Sequence, residues 1–228
     1  YAAASQAFFD TERRALARLS HPGIARLMDG GVTEGVPWFI MERIDGEPMQ
    51  AWAAGRMLTR EAALRIMLRV AEAVQYAHQQ LVVHADLKPS NILITAGGEP
   101  RLIDFGIASM AVGAALQDER TVFPSTPAYA SPERLAGATP TPADDIYALG
   151  LLLHGLLSGV WPDAPLTGPL APTGDAVCDA MIAKACAATV EGRYATAQGF
   201  ADDVRARLEH RPTSLQHGDW RLAGWLMA

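Results

Sequence analysis

His84-Ala85-Asp86-Leu87-Lys88-Pro89-Ser90-Asn91, followed thirteen residues after Asn91 by Asp104-Phe105-Gly106, is the stretch that decides how this sequence is read. The first part is a polar loop. It feeds the apolar run Ile92-Leu93-Ile94, and Gly97-Gly98 then turns the chain into Arg101-Leu102-Ile103, which together predict a hairpin. Upstream, Thr59 is a good N-cap, with Glu61 against the positive end of the helix dipole. Leu64, Met67, Leu68, Ala71 and Val74 keep helical spacing from there to His78. Further upstream, Ile24 to Met28 and Trp38 to Met41 read as an antiparallel strand pair, separated by Gly30-Gly31 and the turn Thr33-Glu34-Gly35-Val36-Pro37. Residues 5–19 predict a helix with Phe8, Phe9, Ala15, Leu16 and Leu19 on its stripe, ended by His21-Pro22-Gly23.

Downstream, 108–132 has weak periodicity and reads as a long surface segment, which in a compact domain is usually functional. Thr141-Pro142 opens a helix with Asp144 and Asp145 in its first turn, and Gly159 closes it. Pro162, Pro165, Pro169 and Pro172 mark an irregular connection, and two helices follow at roughly 174–187 and 197–210.

The 228 residues are 50% hydrophobic and 19% charged, the composition of a globular chain rather than a disordered one. Nineteen Lys+Arg against 25 Asp+Glu leave a net charge of −6, with no cationic cluster, which argues against a nucleic-acid binder. Cys178 and Cys186 are too few for a disulfide scaffold and read as packed hydrophobes in a reducing compartment. The longest apolar run, Ile146 to Trp161, is broken by His154 and three glycines and falls short of the ~20 residues a membrane helix needs. No signal peptide is visible, so the expected location is the cytoplasm, alone or as the cytoplasmic part of a membrane-anchored protein. The first residue is Tyr1 rather than Met, which reads as a fragment or a processed product.

Taken singly, the residues of the opening stretch have bland readings. His84 suits a core histidine, Asp86 and Asn91 suit loop caps, and Asp104-Phe105-Gly106 suits a turn. Taken in order, they supply what phosphoryl transfer from a nucleotide requires. Asp86 offers a carboxylate to orient an attacking hydroxyl. Asn91 and Asp104 offer the hard oxygens magnesium prefers. Lys88, two residues from Asp86, lies on the same side of an extended loop and can reach a phosphoryl group as a point charge.

This set resembles the catalytic loop and Asp-Phe-Gly of protein kinases, specifically the eukaryotic-like Ser/Thr kinases of bacteria. Other matches run along nearly the whole chain. Glu12, nine residues before His21-Pro22, fits the family's helix-C glutamate. Met41, Glu42 and Ile44 look like the gatekeeper and the hinge that would hold adenine. Ala130-Ser131-Pro132-Glu133 stands where the family closes its activation segment, and Asp145-Ile146-Tyr147-Ala148-Leu149-Gly150 resembles the helix that anchors the catalytic loop. Arg193 fits the arginine that pairs with Glu133.

The resemblance implies an α+β, protein-kinase-like bilobal fold with a truncated small lobe at 1–45, a complete, mainly helical large lobe at 46–210 and a tail at 211–228. It implies catalytic roles for Asp86 and Lys88, magnesium on Asn91 and Asp104, ATP as co-substrate, and transfer of its γ-phosphoryl group to Ser or Thr of a protein substrate. Thr121, Ser125 and Thr126 are candidate hydroxyls of the activation segment.

The departures limit it. No Gly-x-Gly-x-x-Gly occurs, and the only lysines are Lys88 and Lys184, so Glu12 lacks the strand lysine that completes its pair in the family. The alternative is therefore a pseudokinase acting as a binding module; a small-molecule kinase on the same fold is a third reading, disfavoured by the protein-substrate platform at Ser131-Pro132-Glu133. Ala85 replaces an arginine that receives the activation-segment phosphate in many relatives, which implies that a phosphate on Thr121 is not the main switch.

Overall fold

The structure, a computed structural model, describes residues 13–34, 36–105 and 127–217. Glu12, Phe8, Phe9, Gly106, Thr121, Ser125 and Thr126 lie outside the described residues.

A helical stretch at 13–17 buries Leu16 and leads through Leu19 into the loop at His21. The strands that follow are β1, Leu27–Thr33, and β2, Val36–Met41, an antiparallel two-stranded sheet. The first strand starts three residues later than expected and ends five later, so Gly30-Gly31 sits inside β1 rather than in a turn. The cause is cross-strand packing. Gly30 pairs with Phe39 and Gly31 with Trp38, and a Cβ on Gly31 would stand 2.9 Å from the Trp38 ring. The aromatic rings fill what the glycines leave open, so residues that ordinarily weaken a strand are tolerated here.

A second sheet forms from β3, Gly46–Pro48, β4, Ile92–Thr95, and β5, Pro100–Leu102, in the order β3-β4-β5 with both pairings antiparallel. The predicted β4–β5 hairpin is therefore present, and β3 is an addition. The two sheets are linked outside their strands. Ala25 N–H donates to Leu102 O at 2.8 Å and Leu102 N–H to Gly23 O at 2.8 Å, so the segment 23–25 runs beside β5.

The helices are α1, Met49–Ala53; α2, Arg60–Gln79; α3, Pro132–Leu135; α4, Pro142–Ser158; α5, Ala176–Ala185; α6, Ala197–Leu208; and α7, Ser214–His217. Capping fixes the starts as the sequence predicts. Thr59 Oγ1 accepts from Ala62 N–H at 3.1 Å. Thr141 and Asp144 form a reciprocal capping box at the start of α4, and Gly159 ends it in the left-handed conformation, φ +73°.

α4 is apolar all round and is the centre of the body, with thirteen of its seventeen residues buried. α2 packs on α4 and α6, and α5 crosses α4 closely at Gly150, where a Cβ would meet Cys186 Sγ at 2.6 Å. The result is the α+β, two-lobed arrangement expected, with a small sheet above and a helical body below. Cys178 is fully buried, and burial pushes its thiol up to about 12, as befits packing rather than chemistry.

Candidate active site

Three elements meet at the candidate site: the loop between α2 and β4, the residues following β5, and the start of α4. The loop is held from beneath by one buried carboxylate. Asp145, 1% exposed, accepts from His84 N–H at 2.8 Å, from Ala85 N–H at 2.9 Å, and from His78 Nε2 at 2.8 Å. Two consecutive backbone donors on one carboxylate fix the loop's direction, and a buried acceptor so satisfied is rigid. Ala85 meets the resulting turn at φ +65°, in the left-handed region that non-glycine residues seldom occupy and that recurs at functional sites.

His84 ties the loop to the residues after β5. Its ring centroid lies 4.6 Å from that of Phe105, and its Nε2 lies 3.1 Å from Ile103 O. Burial pushes the imidazole's pKa down, more than Asp145 and Asp86 raise it, so the neutral form is favoured and Nε2–H donates to that carbonyl. Both His84 and Phe105 are buried.

Asp86, Lys88 and Asn91 are brought together. Lys88 Nζ stands 2.7 Å from Asp86 Oδ2. Asn91 Nδ2 donates to Asp86 O at 2.9 Å and to Asp86 Oδ2 at 3.1 Å. The amide's nitrogen is thereby committed to Asp86, and the chemistry left to Asn91 is that of its Oδ1. Ile103 N–H donates to Asn91 O at 3.0 Å, so Asp104 is the next residue along from a direct bond to the loop. Asp104 is exposed and has φ +53°. Asn91 and Asp104 thus offer two hard oxygen groups on neighbouring backbone. No cluster of three or more His, Cys, Asp or Glu able to hold a metal ion occurs among the described residues. Two protein oxygens completed by a ligand's phosphates is the arrangement magnesium commonly takes, and the donor set fits it.

The hinge candidates lie where β2 ends. Met41 pairs with Leu27, and Ile44 is half-buried two residues past Glu42. Glu42 is more firmly held than its position in a connecting segment suggests. Its N–H donates to Arg26 O at 2.7 Å, and its Oε2 accepts from Arg26 N–H at 3.1 Å and from Arg101 Nη2 at 2.7 Å. Glu12 lies outside the described residues, so its place is not part of this geometry.

Below the site, Arg193 grips Glu133 with both ends of its guanidinium, at 2.5 and 2.8 Å. Arg193's side chain is fully buried and Glu133's is 24% exposed, so the pair is buried on one side only. Burial works to raise the Glu133 carboxyl, but Arg193's hydrogen bonds and charge hold it below its ordinary value. Sequence reasoning missed Arg101 as Glu42's partner and His78 as a donor to Asp145. His78 ends the predicted helical stripe six residues before His84, a spacing that could have pointed to a shared partner; nothing in the sequence links Arg101 to Glu42.

Comparison with known proteins points to one family. A family model described as "Protein kinase domain" matches residues 3–168. The chain is 33% identical over 223 residues to a serine/threonine-protein kinase, Pkn1, of Myxococcus xanthus, covering 89% of this chain and 32% of that protein. It is 34% identical to the serine/threonine-protein kinase PknJ of Mycobacterium tuberculosis, covering 89% of this chain and 38% of that one. The chain thus spans about a third of the length of these curated relatives. The crystal structure of the Mycobacterium tuberculosis PknI kinase domain superposes with a TM-score of 0.68 at 29% identity, covering 90% of this chain and 79% of that one.

Proposed function

This chain belongs to the protein kinase domain family, and on that premise we propose that it is the catalytic part of a serine/threonine protein kinase that moves the γ-phosphoryl group of ATP to a protein hydroxyl. The observation that carries the proposal is the Lys88–Asp86–Asn91 cluster, tied by a backbone bond to Ile103, the residue before Asp104. Asp86 accepts and orients the substrate hydroxyl, taking up its proton as the oxygen attacks. Lys88, already beside Asp86, places a positive charge where the transferring group gains negative charge. Asn91 Oδ1 and the Asp104 carboxylate would hold magnesium, which supplies charge neutralisation to the phosphates when bound. The backbone of Glu42 to Ile44 takes the adenine, and Met41 is the gatekeeper.

The lobe boundary falls after residue 45, a division supported by β3, which starts at Gly46 and pairs with β4. The large lobe runs to 210 and the tail from 211, with Ser214 bonded back to Asp203 at 2.6 Å. An ATP-dependent kinase reading goes with a cytoplasmic domain, alone or as the cytoplasmic part of a membrane-anchored protein; no helix among the described residues is long and apolar enough to cross a membrane. The alternative, a pseudokinase that binds without catalysing, differs from this reading in one measurable respect, phosphoryl transfer.

Turnover and ATP binding of the full-length protein and two variants separate the readings. Asp86→Asn is expected to lower kcat by roughly 10²–10⁴-fold while leaving nucleotide affinity nearly intact. Asp104→Asn is expected to weaken magnesium-dependent nucleotide binding as well. Equal ATP titrations for both variants would show the roles misassigned, and a wild type that binds nucleotide without transferring phosphate would establish the pseudokinase.

A further inference from the structure

We infer that Arg101 is a positioning residue for nucleotide binding: through Glu42 it fixes the hinge relative to the backbone that carries Asp104. The inference deepens the kinase reading and rests on it. Arg101 lies on β5, three residues before Asp104. Its Nη2 reaches Glu42 Oε2 at 2.7 Å, and the same nitrogen lies 3.4 Å from Ile24 O. Glu42 is bonded in turn to Arg26 through two backbone bonds, one from its own N–H and one to its carboxylate. Segment 23–25 closes the circuit by running beside Leu102 through two 2.8 Å bonds. One side chain therefore ties together the end of β2, the 23–26 segment and β5.

The consequence follows from where ATP would sit. Its adenine is taken by the backbone beyond Met41, and its phosphates lie at Asn91 and Asp104. A ligand that must satisfy both ends at once binds best when their separation is set beforehand. The Arg101–Glu42 pair sets it. The pair borders an open cleft of about 460 Å3 lined by Leu19, Pro22, Ile24 and Met28 among others, and its side chains are 21% and 39% exposed. It is thus partly hydrated, and its loss should loosen the hinge without unfolding the lobe. Asp86 and Lys88 are held by separate bonds, so chemistry on bound ATP should proceed as before.

The experiment compares steady-state kinetics, ATP affinity and thermal melts of the full-length protein with Arg101→Ala, Arg101→Lys, Glu42→Gln and the Arg101→Ala/Glu42→Gln double variant. Arg101→Ala is expected to raise the KM and Kd for ATP roughly three- to tenfold, with kcat within twofold of wild type. Arg101→Lys should restore part of the affinity, and the double variant should bind no worse than the weaker single one, because both single variants remove the same ion pair. An unchanged KM, a fall in kcat at constant KM, or additive losses in the double variant would overturn the inference. A melt lowered equally by Arg101→Ala and Arg101→Lys, with no recovery of affinity in the latter, would reduce Arg101 to a structural role. A wild type that binds no ATP would instead bring down the kinase reading, and the inference with it.

Discussion

The β1–β2 hairpin and helix α4 are held by different means. α4 is enclosed by other helices, and its side chains from Ile146 to Leu156 are all buried. The hairpin is a two-stranded sheet whose Met28, Val32, Val36, Trp38 and Ile40 are all more than a third exposed. Two strands alone are marginal in water. The hairpin is kept in place by its backbone ladder, the aromatic rings laid over Gly30 and Gly31, Leu27 and Phe39 packed against the core, and the polar tie from Glu42 to Arg101. The lesson is a division of labour. The helical body, with Leu16, Leu19 and Ile24 in its core, supplies stability and holds the Asp86 loop still, while the exposed hairpin is attached to it by specific contacts whose loss should be felt in ligand binding before it is felt in folding.

The sharpest way to break this comparison is to damage the body. Arg193 is fully buried and bonded to Glu133, to Ala187 O at 2.9 Å and to Ala143 O at 3.1 Å. Arg193→Ala would leave Glu133 and two carbonyls without their donor, at a cost of roughly 3–5 kcal/mol. Because Glu133 keeps some access to water, the lower end of that range is expected. A thermal or urea melt reads the outcome, and an unchanged midpoint would mean that the pair adds nothing to the body's stability.

A second prediction uses acid. Asp175 caps α5, accepting from Val177 and Cys178 N–H at 3.0 Å each, while Arg60 of α2 and Arg207 of α6 reach its other oxygen at 3.0 and 2.5 Å. Burial alone would raise its carboxyl. The hydrogen bonds and charges of Arg207, Cys178 N–H and Arg60 more than offset it, holding the group at about 2 against an ordinary 3.8. The unfolded chain therefore takes up a proton first as pH falls. The stabilisation is complete above about pH 4 and is lost as pH drops toward 2, an amount of about 2 kcal/mol. Asp175→Asn should melt lower than wild type at pH 7, and the gap should close by about that amount at pH 2. A gap independent of pH would show that the carboxylate's charge is not what joins the three helices.

The clustering of Asp86, Lys88 and Asn91 was legible because the three polar residues fall within six positions, and the bonds among them need no distant partner. The caps at Thr59 and Thr141 were legible for the same reason. Glycine misled where its local cost was offset from across the sheet, since nothing in Gly30-Gly31 announces Trp38 and Phe39 as their cover. β3 was missed because Gly-Glu-Pro is too short and too poor in strand formers to show alternation. The Arg101–Glu42 tie spans 59 residues between two surface-like charges, and only the fold brings them together. Asp175 could have been found, since it stands immediately before the helical run of α5 as an N-cap should.

The smallest expected effect belongs to the hairpin itself. Trp38 is 37% exposed; its Nε1 donates to Thr33 Oγ1 at 2.9 Å, and its ring covers Gly31. Trp38→Ala would remove a cross-strand contact and uncover a glycine, yet it opens no cavity in the body. A global loss of about 1 kcal/mol or less is expected. The local effect should be larger than the global one. Native-state hydrogen exchange should show the amides of β1 and β2 opening faster in the variant, while those of α4 keep their wild-type protection, because the hairpin opens without the body. The opposite outcome is equally readable. If α4 amides and the melting temperature fall together with the hairpin, the two regions unfold as one unit, and the hairpin contributes to the stability of the helical body.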